Sequence, residues 1–377
     1  MRVIITGGTG FIGSELTRRL ACDREISHIQ ILIRPLPSLS AEERFERLKK
    51  QWLTSGSSLT SRQLAKITVR SADIGTRIPP SDLSAADVMI HLAASTILGD
   101  PITLARRNNL FSTQNALRIA HKISDLKRFV HISTAYVAGK QRGHISENMA
   151  SLGAKFHNPY ERSKLEGEKC IESSGLPYTI LRPSIVVGRS NDGYAPKMQV
   201  LYTAWRAWLS GCLPRAPIDP KGWVDIIPLD YACDAIRTLA IHPNSEGRTL
   251  HICAGQDKTR SLEILDTACR VFGQKRPKLS PPWIVDYMRI PWIAKYLPHD
   301  LRSMIDIMHW HVPYLGMRDR TFDTQSTSSI LDPLGIVCPP FSTYGQKLFE
   351  YLIKTSWGKR LPKLYESKDL KGELCSQ

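Results

Sequence analysis

The sequence predicts an α/β fold, a doubly wound parallel sheet joined to a smaller, mainly helical cap, on three observations. The first is an apolar run, Val3-Ile4-Ile5, that breaks into Gly7, Gly8, Gly10 and Gly13 and then into SELTRRLA, a stretch of helical periodicity. The second is the return of such runs at 29–33, 67–70, 87–92, 128–133 and 178–182, with helical stretches between them. The third is the loss of this alternation after residue 190, where Trp, Pro and Met become more frequent. On this pattern 1–189 and 223–257 form the sheet domain, and 190–222 with 258–377 form the cap.

The N-terminal element is the most specific local signal. A strand that runs into a glycine-rich turn and then a helix is the setting in which glycines cradle a pyrophosphate. They allow a tight turn and close backbone approach, and the helix start presents free N–H groups to the anion. Thr6, Gly7, Gly10, Phe11, Ile12 and Gly13 are the residues placed there, with spacing GxxGxxG rather than GxGxxG. Ligands of such sheets sit beyond the carboxyl ends of the strands. Gly7, Asp73, His91, Thr134 and the loop after Arg182 all fall at such ends, so one shared site is expected.

Tyr160 and Lys164 stand four residues apart in NPYERSK, which puts both on one helix face. A phenol with a reference pKa of about 10 is a poor proton carrier at neutral pH. An ammonium one turn away is expected to favour the phenolate and bring the group toward working range.

With the glycine loop upstream, these residues resemble the extended short-chain dehydrogenase/reductases, a family of Rossmann type. The resemblance covers about the first 260 residues well and the rest loosely. It implies that Asp73 and Ile74 lie against an adenine and that Leu92, Ala93 and Ala94, after DVMIH, wall the nucleotide site. It implies a structural Asn109 facing the site, and cofactor contacts from Lys164 and from Pro183 and Ile185 in LRPSIVVGRS. Aligned on YVAG, Thr134 takes the place of the catalytic hydroxyl, with Ser133 as the alternative one residue earlier. Trp205, Trp208 and Trp223 fit either an acyl tunnel or the cap core, and Asp225 and Arg182 read as structural.

STAYVAG, LRPSIVVGRS and WVDIIPLDYACDAI further resemble the fatty acyl reductase and thioester reductase branch, as do the insert LKKQWLTSGSSLTSRQLAK and FDTQSTSSIL. SADI lacks the usual Gly before Asp73, and Ser112 stands where that branch has Gly. The resemblance implies hydride transfer to a thioester carbonyl, giving an aldehyde or, after a second transfer, an alcohol. Thr134 and Tyr160 would steady the oxyanion, and Lys164 would hold the nicotinamide ribose. An alternative is a dehydrogenase acting on a hydroxysteroid, a flavonoid-like ketone or a nucleotide sugar. A second is a cofactor-binding subunit without catalysis. ILIRP ends the second strand with Arg34 and no acid, which suits the 2′-phosphate of NADPH.

Composition fits a cytoplasmic enzyme. Hydrophobic residues make up 42% of 377, enough for a core, yet no apolar run reaches bilayer length. The chain opens directly on a core strand, so no signal peptide is expected. Eight cysteines without a CxxC pair point to reduced thiols and no metal site, and His309 with His311 lacks companion ligands. The net charge of +16 comes with no nucleic-acid motif. An acidic acyl carrier protein, or a peripheral contact with an anionic membrane through PPWIVDYMRIPWIAKYLP, would match it.

Overall fold

The computed structural model describes residues 1–75, 83, 85–198, 202, 205 and 215–357. Trp208 lies outside the described residues. The chain forms two compact units. The first comprises Met1–Val186, Ile227–Gly255 and Thr321–Cys338, and the second Val187–Ile226, Gln256–Arg320 and Pro339–Gln377.

The first unit is built on a parallel sheet of seven strands: β1 (Arg2–Thr6), β2 (His28–Ile33), β3 (Ile67–Ser71), β4 (Val88–His91), β5 (Arg128–Ile132), β6 (Tyr178–Pro183) and β7 (Arg248–Ile252). Their order across the sheet is β7-β6-β5-β4-β1-β2-β3. Each predicted run is a strand to within a residue or so at its ends, because apolar runs of this length bury both sheet faces. Ile5, Ile29, Ile31, Met89, Phe129 and Ile180 are fully buried. The order reverses between β1 and β4, which opens the crevice where ligands of such sheets bind.

Helices flank the sheet. Among them, α1 (Phe11–Cys22) and α2 (Ala41–Thr54) follow β1 and β2. A capping box starts α2, where the Ser40 hydroxyl accepts from the Glu43 N–H and the Glu43 carboxylate accepts from the Ser40 N–H. The buried Trp52 near its end donates to the Ser14 carbonyl at 3.2 Å and so ties α2 to α1. After a π-helical turn at Arg107–Phe111 comes α3 (Ser112–Ala120), and α4 (Pro159–Glu172) packs against both.

The division differs from expectation at its bounds, where 187–189, 223–226 and 256–257 fall in the second unit, and in one larger piece. Residues 321–338, which the pattern placed in the cap, belong to the first unit. The Thr327 hydroxyl donates to the His251 carbonyl on β7 at 2.7 Å, and Phe322 packs edge-on against Tyr136 at 5.6 Å. The segment thus covers the open edge of the sheet, a need the local sequence does not advertise.

The second unit is mainly helical, with helices at Ser261–Val271, His299–His311 and Phe341–Lys354. Its core is aromatic: Trp205 meets Tyr202 at 5.5 Å and Phe349 at 4.9 Å, and Phe272 stacks on Trp357 at 5.5 Å. Trp205 therefore belongs to the packing of this unit. Trp223 carries Arg260 over its ring at 4.7 Å. His309 pairs with Asp286 at 2.6 Å, and no cluster of metal-ligating side chains occurs among the described residues.

Candidate active site

Gly7, Arg34, Asp73, Leu92, Ser133 and Thr134 follow the carboxyl ends of β1 to β5, and Pro183 ends β6. They share one edge of one sheet within the first unit.

The glycine loop is shaped by close approach. Gly7 adopts φ +73°, and a Cβ there would lie 2.7 Å from the Ala93 nitrogen and the Leu92 carbonyl carbon. A Cβ on Gly13 would lie 2.1 Å from the Gly7 carbonyl oxygen. Gly10 has only that same oxygen within 4 Å of its Cβ position, at 3.0 Å, so its outer side is open. No side chain caps the start of α1 and no acid lies in its first turn. The leading N–H groups at Phe11, Ile12 and Gly13 thus face out at the positive end of the helix. An open backbone cradle with uncapped donors and no acid fits the pyrophosphate of a nicotinamide dinucleotide.

Several residues expected at the cofactor are bonded within the fold. Thr6 is 1% exposed, and its hydroxyl is bonded to His91 Nδ1 at 2.7 Å and to the Ala93 N–H at 3.3 Å. Ile74 lies in the core, its carbonyl held by Asn115 at 2.7 Å. The Asp73 carboxylate accepts from the Gly75 N–H at 2.9 Å. Asn109 is buried in the π-helical turn; its oxygen accepts from the Ser95 N–H at 2.8 Å, and its amide donates to Ser163 at 2.9 Å. It links the loop after β4 to α4. The Ser112 hydroxyl closes on the Asn108 carbonyl at 2.7 Å, so the residue that replaces Gly is absorbed by this turn. Leu92 and Ala93 are half-buried and Ala94 is exposed, as wall residues would be.

At the end of β2 the exposed Arg34 is joined by Arg44 from α2. The Arg44 guanidinium donates to the Arg34 carbonyl and, at 2.8 Å, to the Thr9 hydroxyl in the glycine loop. Desolvation and the neighbouring Arg34 charge lower the pKa of Arg44. Two like charges drawn together beside the cradle favour an anion. Sequence reading missed Arg44, since helical periodicity gives its face but not the strand end it reaches.

The reaction end is built on α4. Asn158 caps the helix by accepting from the Glu161 N–H at 3.1 Å, and Pro159 opens it, so Tyr160 sits in the first turn. The Tyr160 hydroxyl bonds the Thr134 side chain. The Ser133 hydroxyl, in contrast, is buried and has no partner among the described residues. Lys164, 3% exposed, donates to the Ile132 carbonyl at 2.7 Å and to His131 Nε2 at 3.1 Å. The next turn carries Glu168, paired with Arg182 at 2.6 Å, so Arg182 ties α4 to the sheet.

The electrostatics differ from the sequence expectation. Burial pushes the Tyr160 phenol up to about 12, against the Thr134 hydrogen bond, and Glu161 adds to the rise. Lys164 does not offset this, because its ammonium is turned to His131 and the Ile132 carbonyl. Burial lowers Lys164 itself to about 8, with Glu168 opposing. At neutral pH the pair is thus a protonated phenol and an ammonium, a set-up that donates a proton. His131, missed from the sequence, is neutral: burial, Lys164 and His91 all push its pKa well below the usual value.

Known proteins bear on this geometry. A model of a nicotinamide-binding family, the male sterility proteins, matches residues 5–236. The chain belongs to the male sterility protein family. As a male sterility protein it is an NAD(P)-dependent oxidoreductase of the extended short-chain dehydrogenase/reductase type. It is similar to a putative fatty acyl-CoA reductase of Drosophila melanogaster, 23% identical over 379 residues, covering 85% of this chain and 68% of that protein. Six other curated relatives are longer, and the chain spans between 26% and 58% of them. An uncharacterized UDP-glucose epimerase of Bacillus subtilis is 31% identical over 298 residues, covering 73% of this chain and 83% of that one. The crystal structure of the terminal R domain from the myxalamid PKS-NRPS pathway superimposes with a TM-score of 0.80 at 24% identity, covering 94% of this chain and 91% of that one.

Proposed function

We propose that this chain is an NADPH-dependent reductase of acyl thioesters, carried on coenzyme A or on a carrier protein, giving an aldehyde or an alcohol. The observation that carries the reading is the protonated Tyr160 phenol, bonded to Thr134 and one turn from the Lys164 ammonium, at the same sheet edge as the glycine cradle.

When bound, the nicotinamide dinucleotide supplies the hydride. Tyr160 O–H donates its proton to the thioester carbonyl oxygen as that oxygen gains charge, and the Thr134 hydroxyl holds the same oxygen. The tetrahedral adduct then loses thiol and leaves the aldehyde. Lys164 has three donors and uses two on His131 and the Ile132 carbonyl, which leaves one for the cofactor ribose. Arg34 and Arg44 supply the fork for a 2′-phosphate, which favours NADPH over NADH.

The relatives named as a fatty acyl-CoA reductase and as a terminal R domain support the thioester reading. On this proposal, recognition of the acyl chain falls to the second unit. The net charge of +16 suits an acidic carrier. An anionic membrane is the other candidate partner, supported by Trp283, Tyr287, Trp292 and Tyr296, which are all exposed within 14 residues. No helix of the described residues is long and apolar enough to cross a membrane.

The test is NADPH oxidation with a long-chain acyl-coenzyme A, its carrier-protein thioester, the aldehyde, a hydroxysteroid and a UDP-sugar. Oxidation with a thioester, with aldehyde or alcohol appearing, is the expected result, and the better carrier names the partner. Turnover of the steroid or the UDP-sugar alone would move the chain to the alternative favoured by its epimerase relative. NADPH binding with no turnover on any substrate would mark a non-catalytic subunit.

A further inference from the structure

The cluster behind the reaction end holds more polar chemistry than the reaction scheme uses. His131 lies on β5, 0% exposed, and its Nε2 is 3.1 Å from Lys164 Nζ. Its ring stacks on His91, with centroids 5.2 Å apart. The bonding of the neighbours fixes the protons. Thr113 donates its hydroxyl to the Asn109 carbonyl at 2.7 Å, so it accepts from His91 Nε2 at 3.2 Å. His91 is then protonated at Nε2, and its Nδ1 accepts from Thr6. An ammonium can only donate, so Nε2 of His131 must be bare and its proton sits on Nδ1.

That tautomer carries a cost. Nδ1 of His131 is buried with no hydrogen-bond partner among the described residues. A stranded buried donor costs roughly 1–3 kcal/mol, and an apolar residue on this strand would avoid it. The return for this cost lies at Nε2, which offers the Lys164 ammonium a second acceptor beside the Ile132 carbonyl.

We propose that His131 is a positioning residue of the reaction: by accepting an N–H from Lys164 through Nε2, it seats that side chain and keeps it an ammonium. The inference rests on the reading of Lys164 as the cationic partner of Tyr160. An acceptor bonded to the charged form raises the pKa of the group that donates to it. The other charged or titratable groups around Lys164 are Tyr160, Glu161 and Glu168 on its own helix, with Arg182 paired to Glu168, and His91 behind His131. His91 bonds to the two threonines, and Glu168 is held by Arg182, which leaves His131, beside the Ile132 carbonyl, as the neutral side-chain acceptor on Nζ.

The test reads Lys164 without turnover. In ε-13C-lysine protein, with Lys164→Arg assigning the resonance, the titration midpoint of Lys164 is compared among wild type, His131→Phe and His131→Gln. The expected result is a midpoint lower by about one pH unit or more in His131→Phe, a tenfold loss of proton affinity. His131→Gln, whose amide oxygen is an acceptor, should restore most of it. An unmoved midpoint in folded His131→Phe overturns the inference. Should that variant not fold, 15N spectra of wild-type histidines decide: Nδ1 protonated and Nε2 bare is required, and a proton on Nε2 overturns it. A shifted midpoint in a protein that turns over the hydroxysteroid or the UDP-sugar but no thioester would discard the reductase reading and keep the inference. An active enzyme with an unmoved midpoint would do the reverse.

Discussion

The two ends of the site in the sheet unit are built on opposite principles. The cofactor end is open: glycines, an uncapped helix start, an exposed Arg34 and a half-buried Arg44. The reaction end is closed behind a half-buried Tyr160: Lys164, His131, His91 and Thr134 are each 5% exposed or less. An anion of fixed shape can be held by backbone and surface charge, which cost little to keep solvated. A proton donor and its ammonium must have their proton affinities set, and burial is the means of setting them. Binding should therefore tolerate change by degrees, and chemistry should fail outright.

The sharpest break in that comparison is Tyr160→Phe. On the proposed mechanism it removes the proton donor and one oxyanion contact while the ring still fills its place. The expected loss is about 10³-fold or more in kcat, with NADPH affinity within about twofold of wild type. Stopped-flow turnover beside a fluorescence titration of NADPH separates the two quantities. If both fall together, the two ends are one structural unit rather than two built on opposite principles.

Next in size is Lys164→Met, which sets stability against activity. The folded pKa of Lys164, about 8, lies below its ordinary 10.5. Between those values the unfolded chain binds more protons than the folded one, so stability rises with pH across that window. Below about pH 8 the cost of burying the ammonium is fully present, on the order of 1–3 kcal/mol once its hydrogen bonds are counted. Lys164→Met should thus lose turnover by about 10²-fold while melting several degrees higher at pH 7. Its advantage should shrink as pH climbs from 8 toward 10.5. Calorimetry at pH 7 and 10 checks this; a lower melting temperature at pH 7 would mean the ammonium's bonds outweigh its desolvation.

The same contrast explains what was legible in the sequence. The sheet and the glycine loop could be read because each depends on local rules: apolar runs for strands, small residues where backbones approach. Tyr160 and Lys164 could be read as a pair because helix geometry fixes a four-residue spacing. Thr134 could be set beside Tyr160 once YVAG was used as an anchor, and the two side chains are bonded. Electrostatic direction could not, since the fall expected for Tyr160 depended on where Nζ points, and that is settled by His131 and the Ile132 carbonyl on a strand over 30 residues away. His131 reads in sequence as one more inward residue of FVHIS. The place of segment 321–338 is hidden from the sequence for a similar reason, because the β7 edge it packs against is a tertiary fact.

The smallest effect belongs to the open end. Arg44→Ala removes one of two guanidiniums beside the cradle but leaves Arg34 and all the glycines. A charge-assisted hydrogen bond contributes roughly 1.5–3 kcal/mol, so KM for NADPH should rise on the order of 10-fold, while KM for NADH stays near its starting value. Arg44 also links Thr9 to the end of β2 through its two hydrogen bonds, and loosening that link alone would weaken both cofactors equally. The ratio of the two KM values is therefore the quantity to read. Arg44→Lys keeps the charge without the fork and should fall between wild type and Arg44→Ala. Equal losses for NADPH and NADH would assign Arg44 to bracing the loop and leave the 2′-phosphate to Arg34 alone.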